Sequence, residues 1–199
     1  MAQMLFYENV SAVSPQRHGD LSIDRENFEF AANVNSVPLM AVEMTAAASE
    51  YTIVFAGDDK NVMPVVILGL EGTKNYYVGK DGNWTADYIP AFVRRYPFVF
   101  AQNENQFTLC VDEEWSGCNR EGKGQRLFDD KGERTEYLNR MLKFLEESQA
   151  HFARTQTYCN HLKELELLEP MKADFTFPGG EKKSLGGFMA VNREKLKNL

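Results

Sequence analysis

A chain of 199 residues suits a single domain, and its 43% apolar and 12% aromatic residues are ample for a buried core. The formal net charge is −7, with 29 acidic side chains against 22 basic ones. A nucleic-acid groove needs clustered Lys and Arg, so this balance argues against nucleic-acid partners. No segment approaches the roughly 20 apolar residues that span a bilayer, so no membrane span is expected.

The N-terminus and the cysteines bear on location and redox state. Residues 1–10 have no basic segment, no long apolar run and no small-residue cleavage site. A cytoplasmic location is therefore expected, and surface association would need a signal-independent route. The three cysteines fit neither a disulfide framework nor a zinc pattern, and Cys118, in a glycine-rich loop, is expected to be the most reactive thiol. Histidine spacing gives no metal signature, and nucleotide-binding glycine motifs are absent, so no metal and no cofactor are expected.

The first half of the chain predicts short strands after an irregular start. Strands are expected at residues 6–10 and 21–23, and good helix formers predict a helix over residues 37–51 with Pro38 in its first turn. β-Branched residues then predict strands at 51–55 and 62–68, joined by a hairpin loop at 57–61. A third strand is expected at 75–78, closed by a glycine-containing turn.

The second half predicts a hairpin, a long helix and a second hairpin. Pro90 and Pro97 restrict a short helix to residues 91–96, and strands follow at 98–100 and 107–111 across a polar loop at 102–106. Apolar residues at helical spacing predict a helix over 133–168, interrupted only near Gln149. A hairpin at 175–177 and 185–191, with its turn at 178–180, precedes a last helix. The chain is thus predicted to be one α+β domain over residues 1–199 with a mostly antiparallel sheet.

The segment 83–98 concentrates side chains that can bind ligands, with five aromatic residues, two prolines and an arginine pair. One interpretation is a carboxylate or phosphate clamp flanked by stacking aromatics. The other is that the aromatics are core, one arginine faces solvent and the other pairs with a buried acid. Adjacent helical residues point about 100° apart, which disfavours two arginines on one ligand. The candidate residues here are Trp84, Tyr88, Arg94, Arg95 and Tyr96.

Glu43 is the sixth candidate, because it interrupts the apolar stretch 40–48. A carboxylate on an apolar face needs a partner. We predict an ion pair between Glu43 and Arg94 or Arg95, with a separation of about 4 Å or less. His18 and Asp20, close together in a predicted loop, form a weaker candidate acid–base pair.

Several segments resemble the bacterial SapC family, in matching order along nearly the whole chain. The most specific runs from Gly82-Asn83-Trp84 through Tyr88-Ile89-Pro90 to Arg94-Arg95-Tyr96-Pro97-Phe98. Supporting segments are His18, Val37-Pro38-Leu39 with Glu43, Tyr51-Thr52-Ile53-Val54-Phe55, Gly69-Leu70 with Asn75, Leu109-Cys110-Val111-Asp112 and Leu127-Phe128. The family takes its name from a surface-layer-associated protein. The resemblance implies a further helical segment after Leu199, but it supplies no catalytic residues.

The sequence therefore favours a non-enzymatic factor that binds a protein or peptide partner through the aromatic–arginine region, in connection with the bacterial surface layer. The alternative is an enzyme, or an accessory to one, acting on a small acidic or peptide substrate in a pocket near Glu43, Trp84 and Arg94. A third hypothesis is a structural subunit of an ordered array. Hydrophobic periodicity leaves the oligomeric state open.

Overall fold

Three antiparallel sheets and one long helix account for most of the fold. The structure is a computed structural model that describes residues 5–58, 61–70, 72–103, 106–177 and 179–199. The helices are α1 (Pro15–His18), α2 (Met44–Ala47), α3 (Ala91–Arg94), α4 (Glu136–Glu164) and α5 (Arg193–Lys197). The strands are β1 (Val10–Ala12), β2 (Ser22–Ile23), β3 (Ser36–Pro38), β4 (Thr52–Gly57), β5 (Val62–Ile67), β6 (Phe98–Asn103), β7 (Gln106–Asp112), β8 (Cys118–Asn119), β9 (Gln125–Arg126), β10 (Leu168–Thr176) and β11 (Lys182–Val191). The predicted α+β class is confirmed.

The largest sheet has five strands in the order β10-β11-β4-β5-β3. Strands β4 and β5 pair antiparallel along their whole length, so alternate side chains point to opposite faces. Phe55 and Val66 point to the inner face, where each belongs to a buried apolar cluster. Met189 of β11 pairs with Phe55, which joins the C-terminal hairpin to this sheet.

Two three-stranded sheets, β1-β7-β6 and β8-β2-β9, surround the larger apolar cluster. The β6–β7 hairpin matches the predicted strand pair at 98–100 and 107–111 and extends it at both ends. The Tyr7 hydroxyl donates to the Phe98 carbonyl at 2.8 Å, which attaches the N-terminal segment to this hairpin.

Helix α4 spans 29 residues and connects the sheets. Its N-cap is Thr135, whose hydroxyl accepts the Leu138 N–H at 3.3 Å. Midway, the buried Thr155 hydroxyl accepts the Ala41 N–H at 2.9 Å and so fixes the helix to the 3-10 turn Ala41–Glu43. After α4, Glu166 has a φ of 51°, and this left-handed residue turns the chain into β10.

Four predictions of local structure are wrong. Residues 37–51 are not one helix, because 36–38 pair with β5 and only the 3-10 turn and α2 follow. The first strand lies at 10–12 instead of 6–10, and residues 75–78 contribute only a bridge between Val78 and Trp84. Helix α4 ends before residue 168, and Pro170 lies within β10. Both Pro38 and Pro170 occupy edge strands, where the missing N–H costs no ladder bond.

The C-terminal hairpin and the final helix are present as predicted, although the hairpin is longer. The predicted loops at 57–61 and 102–106, the turn at 178–180 and the first four residues of the N-terminus fall wholly or partly outside the described residues. Across the described ranges, no helix is both long enough and apolar enough to cross a membrane.

Candidate functional site

Glu43 is only 5% exposed, and its carboxylate accepts hydrogen bonds from uncharged groups. Its Oε1 accepts hydrogen bonds from the Tyr88 hydroxyl and from the Ala91 N–H, both at 2.7 Å. Its Oε2 accepts the Met40 N–H at 2.9 Å. The Ala91 N–H is one of the first groups of α3, which have no partner within the helix. The carboxylate therefore ties the 3-10 turn to the start of α3.

The predicted ion pair between Glu43 and an arginine is wrong. Within the described residues neither Arg94 nor Arg95 forms an ion pair, and Arg94 instead donates from Nε to the Ile89 carbonyl at 2.9 Å. Three short hydrogen bonds satisfy the Glu43 carboxylate without a guanidinium group. The fold therefore does not have to desolvate a guanidinium group beside the buried carboxylate.

The two arginines contact different aromatic rings. The Arg94 guanidinium lies 5.9 Å from the Tyr88 ring centroid and 5.2 Å from that of Phe144 in α4. The Arg95 guanidinium lies 4.0 Å from the Phe92 centroid. The Nε and Nη2 atoms of Arg95 are buried without a hydrogen-bond partner in the described part of the chain. Stacking on aromatic faces, not a shared anion, is what the two side chains have in common.

Four of the five aromatics in segment 83–98 are buried in the larger core cluster, and Tyr88 is half-buried. The Trp84 Nε1–H donates to the Tyr51 hydroxyl at 2.8 Å, and that hydroxyl donates to the Tyr88 carbonyl. Burial raises the pKa of Tyr51 to about 12, so the hydroxyl stays protonated. The Tyr96 hydroxyl donates to the buried Asp112 at 3.2 Å. The pKa of Tyr96 is raised by burial and by that carboxylate.

Arg25 completes the surroundings of α3, and sequence reasoning missed it. It donates to the carbonyls of Arg94, at 2.8 Å, and of Tyr96, and so satisfies the C-terminal end of the helix. Burial lowers the pKa of Arg25. Because it lies about seventy residues from its acceptors, no local sequence pattern could have shown this contact.

His18 is fully buried and bonds to Glu113, not to Asp20 as the sequence suggested. The Ser14 N–H donates to Nδ1 at 3.1 Å, so the ring proton lies on Nε2, which faces a Glu113 oxygen at 2.9 Å. The Ser11 hydroxyl also donates to Glu113. His18 Nε2 also lies 3.3 Å from the Ser11 hydroxyl oxygen, but it carries the ring proton, whereas a general base for the serine needs an unprotonated nitrogen there. In this arrangement the Ser11 hydroxyl gives its proton to Glu113, and the network links β1, α1 and the end of β7.

The pKa of the Glu113 carboxyl group is strongly lowered. Burial alone would raise its pKa, but hydrogen bonds from Ser11, Arg17 and His18, in that order, outweigh burial and lower the pKa to about 2. The carboxylate therefore stays ionised well into the acid range and links β1, α1 and the end of β7.

The cysteines are poor nucleophiles. Burial, with help from the carboxylates of Asp112 and Glu113, raises the pKa of Cys118 to about 12. Its thiol donates to the Asp112 carbonyl at 3.3 Å. Cys118 is the most accessible of the three thiols, but its thiolate is strongly disfavoured, so its predicted reactivity stays a prediction. Burial also raises the pKa of Cys159 to about 11 and that of Cys110. Among described residues, no three His, Cys, Asp or Glu side chains are grouped as metal ligands would be.

The open space lies elsewhere, between the N-terminal half of α4 and the β6–β7 hairpin. A cavity of about 600 Å³ opens there, and a second cavity of about 270 Å³ adjoins it. Leu109, Arg134 and Leu142 line both cavities, so the two lie side by side along the same helix and are treated together. We call the pair the α4 groove. Its outer part is lined by Phe100, Phe107, Leu109, Leu142, Gln149, Ala150, Phe152 and Ala153, with Arg134 and Glu146 as the charged members.

The α4 groove presents aromatic side chains to solvent. Phe107 is 47% exposed and Phe152 is 40% exposed, and the Phe107 ring lies 5.8 Å from that of Phe100. None of the six sequence-predicted residues lines either cavity. The break in apolar spacing near Gln149, followed by Ala150 and Ala153, was the available signal: small side chains there leave the helix surface unfilled.

Comparison with known proteins agrees with the resemblance noted from the sequence. The SapC family model matches residues 13–199, nearly the whole chain. No curated protein and no solved structure matches. The match covers the aromatic–arginine segment, the Glu43 network and both walls of the α4 groove. The chain belongs to the SapC family.

Proposed function

We propose that this SapC-family chain is a binding factor that holds an apolar segment of a partner polypeptide in the α4 groove. The observation that carries the proposal is the pair of exposed phenylalanines, Phe107 and Phe152, on an open apolar groove. Large exposed apolar side chains grouped around a concavity typically mark an interaction site. Aromatic anchors supply much of the binding energy at such sites.

The dimensions of the groove suit a peptide. From Leu142 to Ala153 helix α4 rises about 17 Å, at about 1.5 Å per residue. An extended peptide covers that length with about five residues, at about 3.3 Å each. The walls are Phe, Leu and Ala side chains, with Arg134 where the two cavities meet. Within the described residues Arg134 has no ion pair, so it is available to a carboxylate of the bound segment.

The chemistry of the chain supports binding more than catalysis. Among the described residues that line the groove there is no His, Cys or Asp, and the carboxylates are Glu146 and Glu133. Glu43, central to the enzyme alternative, already accepts three hydrogen bonds. A role in binding for Glu43, Trp84, Tyr88, Arg94, Arg95 and Tyr96 stays a prediction. Their contacts in the structure are internal, to α3, α4 and the core.

The family resemblance gives the first partner to test. We propose that the bound segment belongs to a polypeptide of the bacterial surface layer, because that is the association from which the family takes its name. The experiment places a photo-crosslinking p-benzoylphenylalanine at Gln149, in the groove, and in a control chain at Asn160, exposed on the same helix but outside the groove. We expect a specific crosslinked polypeptide only from the Gln149 position.

A synthetic peptide of the crosslinked segment is then titrated by fluorescence anisotropy. We expect Phe107→Ala and Phe152→Ala each to weaken its binding by about tenfold, as loss of an aromatic anchor does. Tyr158→Ala is the matched control, because Tyr158 is 39% exposed on the same helix but does not line the groove. Equal losses for all three variants, or no loss from either phenylalanine, would refute the proposal.

A further inference from the structure

The smaller cavity of the α4 groove, with a volume of about 270 Å³, lies beside the first turns of α4. We call it the inner cavity and the larger one the outer cavity. Phe128 and Leu138 line the inner cavity and are themselves buried, while Val13, Leu109 and Leu142 beside them are half-buried. An apolar cavity of about 150 Å³ holds a benzene ring. The inner cavity therefore has room for an aromatic or a large aliphatic side chain.

Hydrogen bonds hold the rim of the inner cavity in place. The Asp129 carboxylate accepts the N–H groups of Lys131 and Glu133, both at 2.9 Å. Gly132 in the same turn has a φ of 79°, and it approaches Pro15 so closely that a β-carbon on it would lie 3.8 Å from that of Pro15. The pocket is thus formed before a partner binds, which lowers the entropic cost of binding.

The charged groups of the α4 groove alternate in sign. Glu133 lines only the inner cavity, Arg134 lines both cavities, and Glu146 lines only the outer one. Arg126 and Arg140 are engaged in ion pairs, whereas Arg134 has none within the described residues. A carboxylate of a bound segment is therefore favoured between the two cavities and disfavoured inside either of them.

The spacing of the two cavities sets the spacing of the groups that can occupy them. The α4 side chains that line the inner cavity are centred near residue 140, and those that line the outer cavity near residue 149. About nine residues of helix rise about 14 Å. An extended segment covers that distance in about four residues, at about 3.3 Å each, and its alternate side chains point to the same face. Three side chains at alternate positions can then face the inner cavity, Arg134 and the outer cavity.

We infer that the segment held in the α4 groove carries two large apolar side chains four positions apart, with an acidic side chain midway between them. The inference rests on the proposed function and names the chemistry of its partner. One apolar side chain enters the inner cavity, the acid pairs with Arg134, and the second apolar side chain contacts Phe107 and Phe152 in the outer cavity. Glu133 and Glu146 repel an acid placed in either cavity, and this repulsion fixes the register.

Selection of random nine-residue peptides, displayed on phage, against the immobilised full chain tests the inference. We expect the enriched peptides to share one pattern: an apolar residue, any residue, an acidic residue, any residue and an apolar residue. Synthetic copies are then titrated by fluorescence anisotropy. Replacing either apolar anchor of the peptide with alanine should weaken binding by about tenfold. Replacing the acid with its amide should weaken binding by about threefold, as expected for an ion pair at an exposed site.

Substitutions in the chain assign each peptide group to its place. Val13→Trp fills the inner cavity, so it should weaken the full peptide by about tenfold and leave the peptide without its inner anchor unaffected. Arg134→Gln should abolish the preference for the acid over its amide. Arg140→Gln is the matched control, because Arg140 is exposed on the same helix and lines neither cavity. The peptide substitutions keep the test valid if Val13→Trp fails to fold.

The outcomes separate this inference from the proposed function. Enriched peptides that depend on Phe107 but lack the acidic residue, or that bind Val13→Trp as tightly as the unchanged chain, would overturn the inference and leave the proposed function standing. Peptides that bind independently of both Phe107 and Phe152, or a selection that enriches no peptide, would refute the proposed function and the inference with it.

Discussion

Replacing Glu43 with glutamine tests the hydrogen-bond network that replaces the expected ion pair. The amide keeps the size of the carboxylate but has only one acceptor oxygen. If that oxygen stays with Tyr88 and Ala91, the amide NH2 faces the Met40 N–H, and two donors oppose each other. An unsatisfied buried donor costs about 1–3 kcal/mol, and the two retained bonds lose about 1 kcal/mol each of charge assistance. Part of this loss of stability is offset, because a neutral amide costs less to bury than a carboxylate.

The expected result for Glu43→Gln is a loss of about 2–3 kcal/mol in the free energy of unfolding, by the values above. For a chain of this length that corresponds to roughly 5–10 °C in the midpoint of thermal unfolding. Urea unfolding followed by circular dichroism measures it. Glu147→Gln is the control, because the Glu147 side chain is 60% exposed and its weak ion pair should contribute less than about 0.5 kcal/mol.

A double-mutant cycle with Arg94→Gln separates the observed network from an ion pair. Arg94 bonds to the Ile89 carbonyl and shares only the contact to Tyr88 with Glu43, so the coupling energy between the two substitutions should stay below about 1 kcal/mol. A coupling energy above about 1.5 kcal/mol would show that the arginine neutralises the carboxylate after all. A loss below about 0.5 kcal/mol for Glu43→Gln alone would refute the argument that three donors depend on this side chain.

Three further predictions follow from the buried groups. Tyr51→Phe leaves the Trp84 Nε1–H without its acceptor and should lower the free energy of unfolding by about 1–3 kcal/mol in urea titrations. Glu113 has its pKa lowered from 4.5 to about 2 on folding, so its contribution is present above 4.5 and lost as the pH falls towards 2. Glu113→Gln should therefore flatten the fall in stability over that range, and an unchanged slope in acid titrations would count against the assignment. Ellman's reagent at pH 8 should label none of the three cysteines in the native chain and all three in denaturant, since each has a raised thiol pKa.

Local chemistry explains which parts of the fold were predictable. The β6–β7 hairpin and α4 follow from Pro97, from alternating apolar residues and from helical spacing, and each is a strong local signal. The prediction of one helix over residues 37–51 failed because it relied on the good helix formers that follow Pro38. Pairing with β5 instead decides the conformation of residues 36–38. Tertiary contacts outweigh propensity in segments this short.

The candidate site, like the fold, could be predicted only in part from the sequence. A buried Glu43 with a required partner was predictable, because an isolated carboxylate is costly on an apolar face. The identity of the partner was not, because two of the three donors are backbone N–H groups, which every residue carries. The α4 groove depends on how far α4 lies from β6 and β7, and only the assembled structure shows that distance.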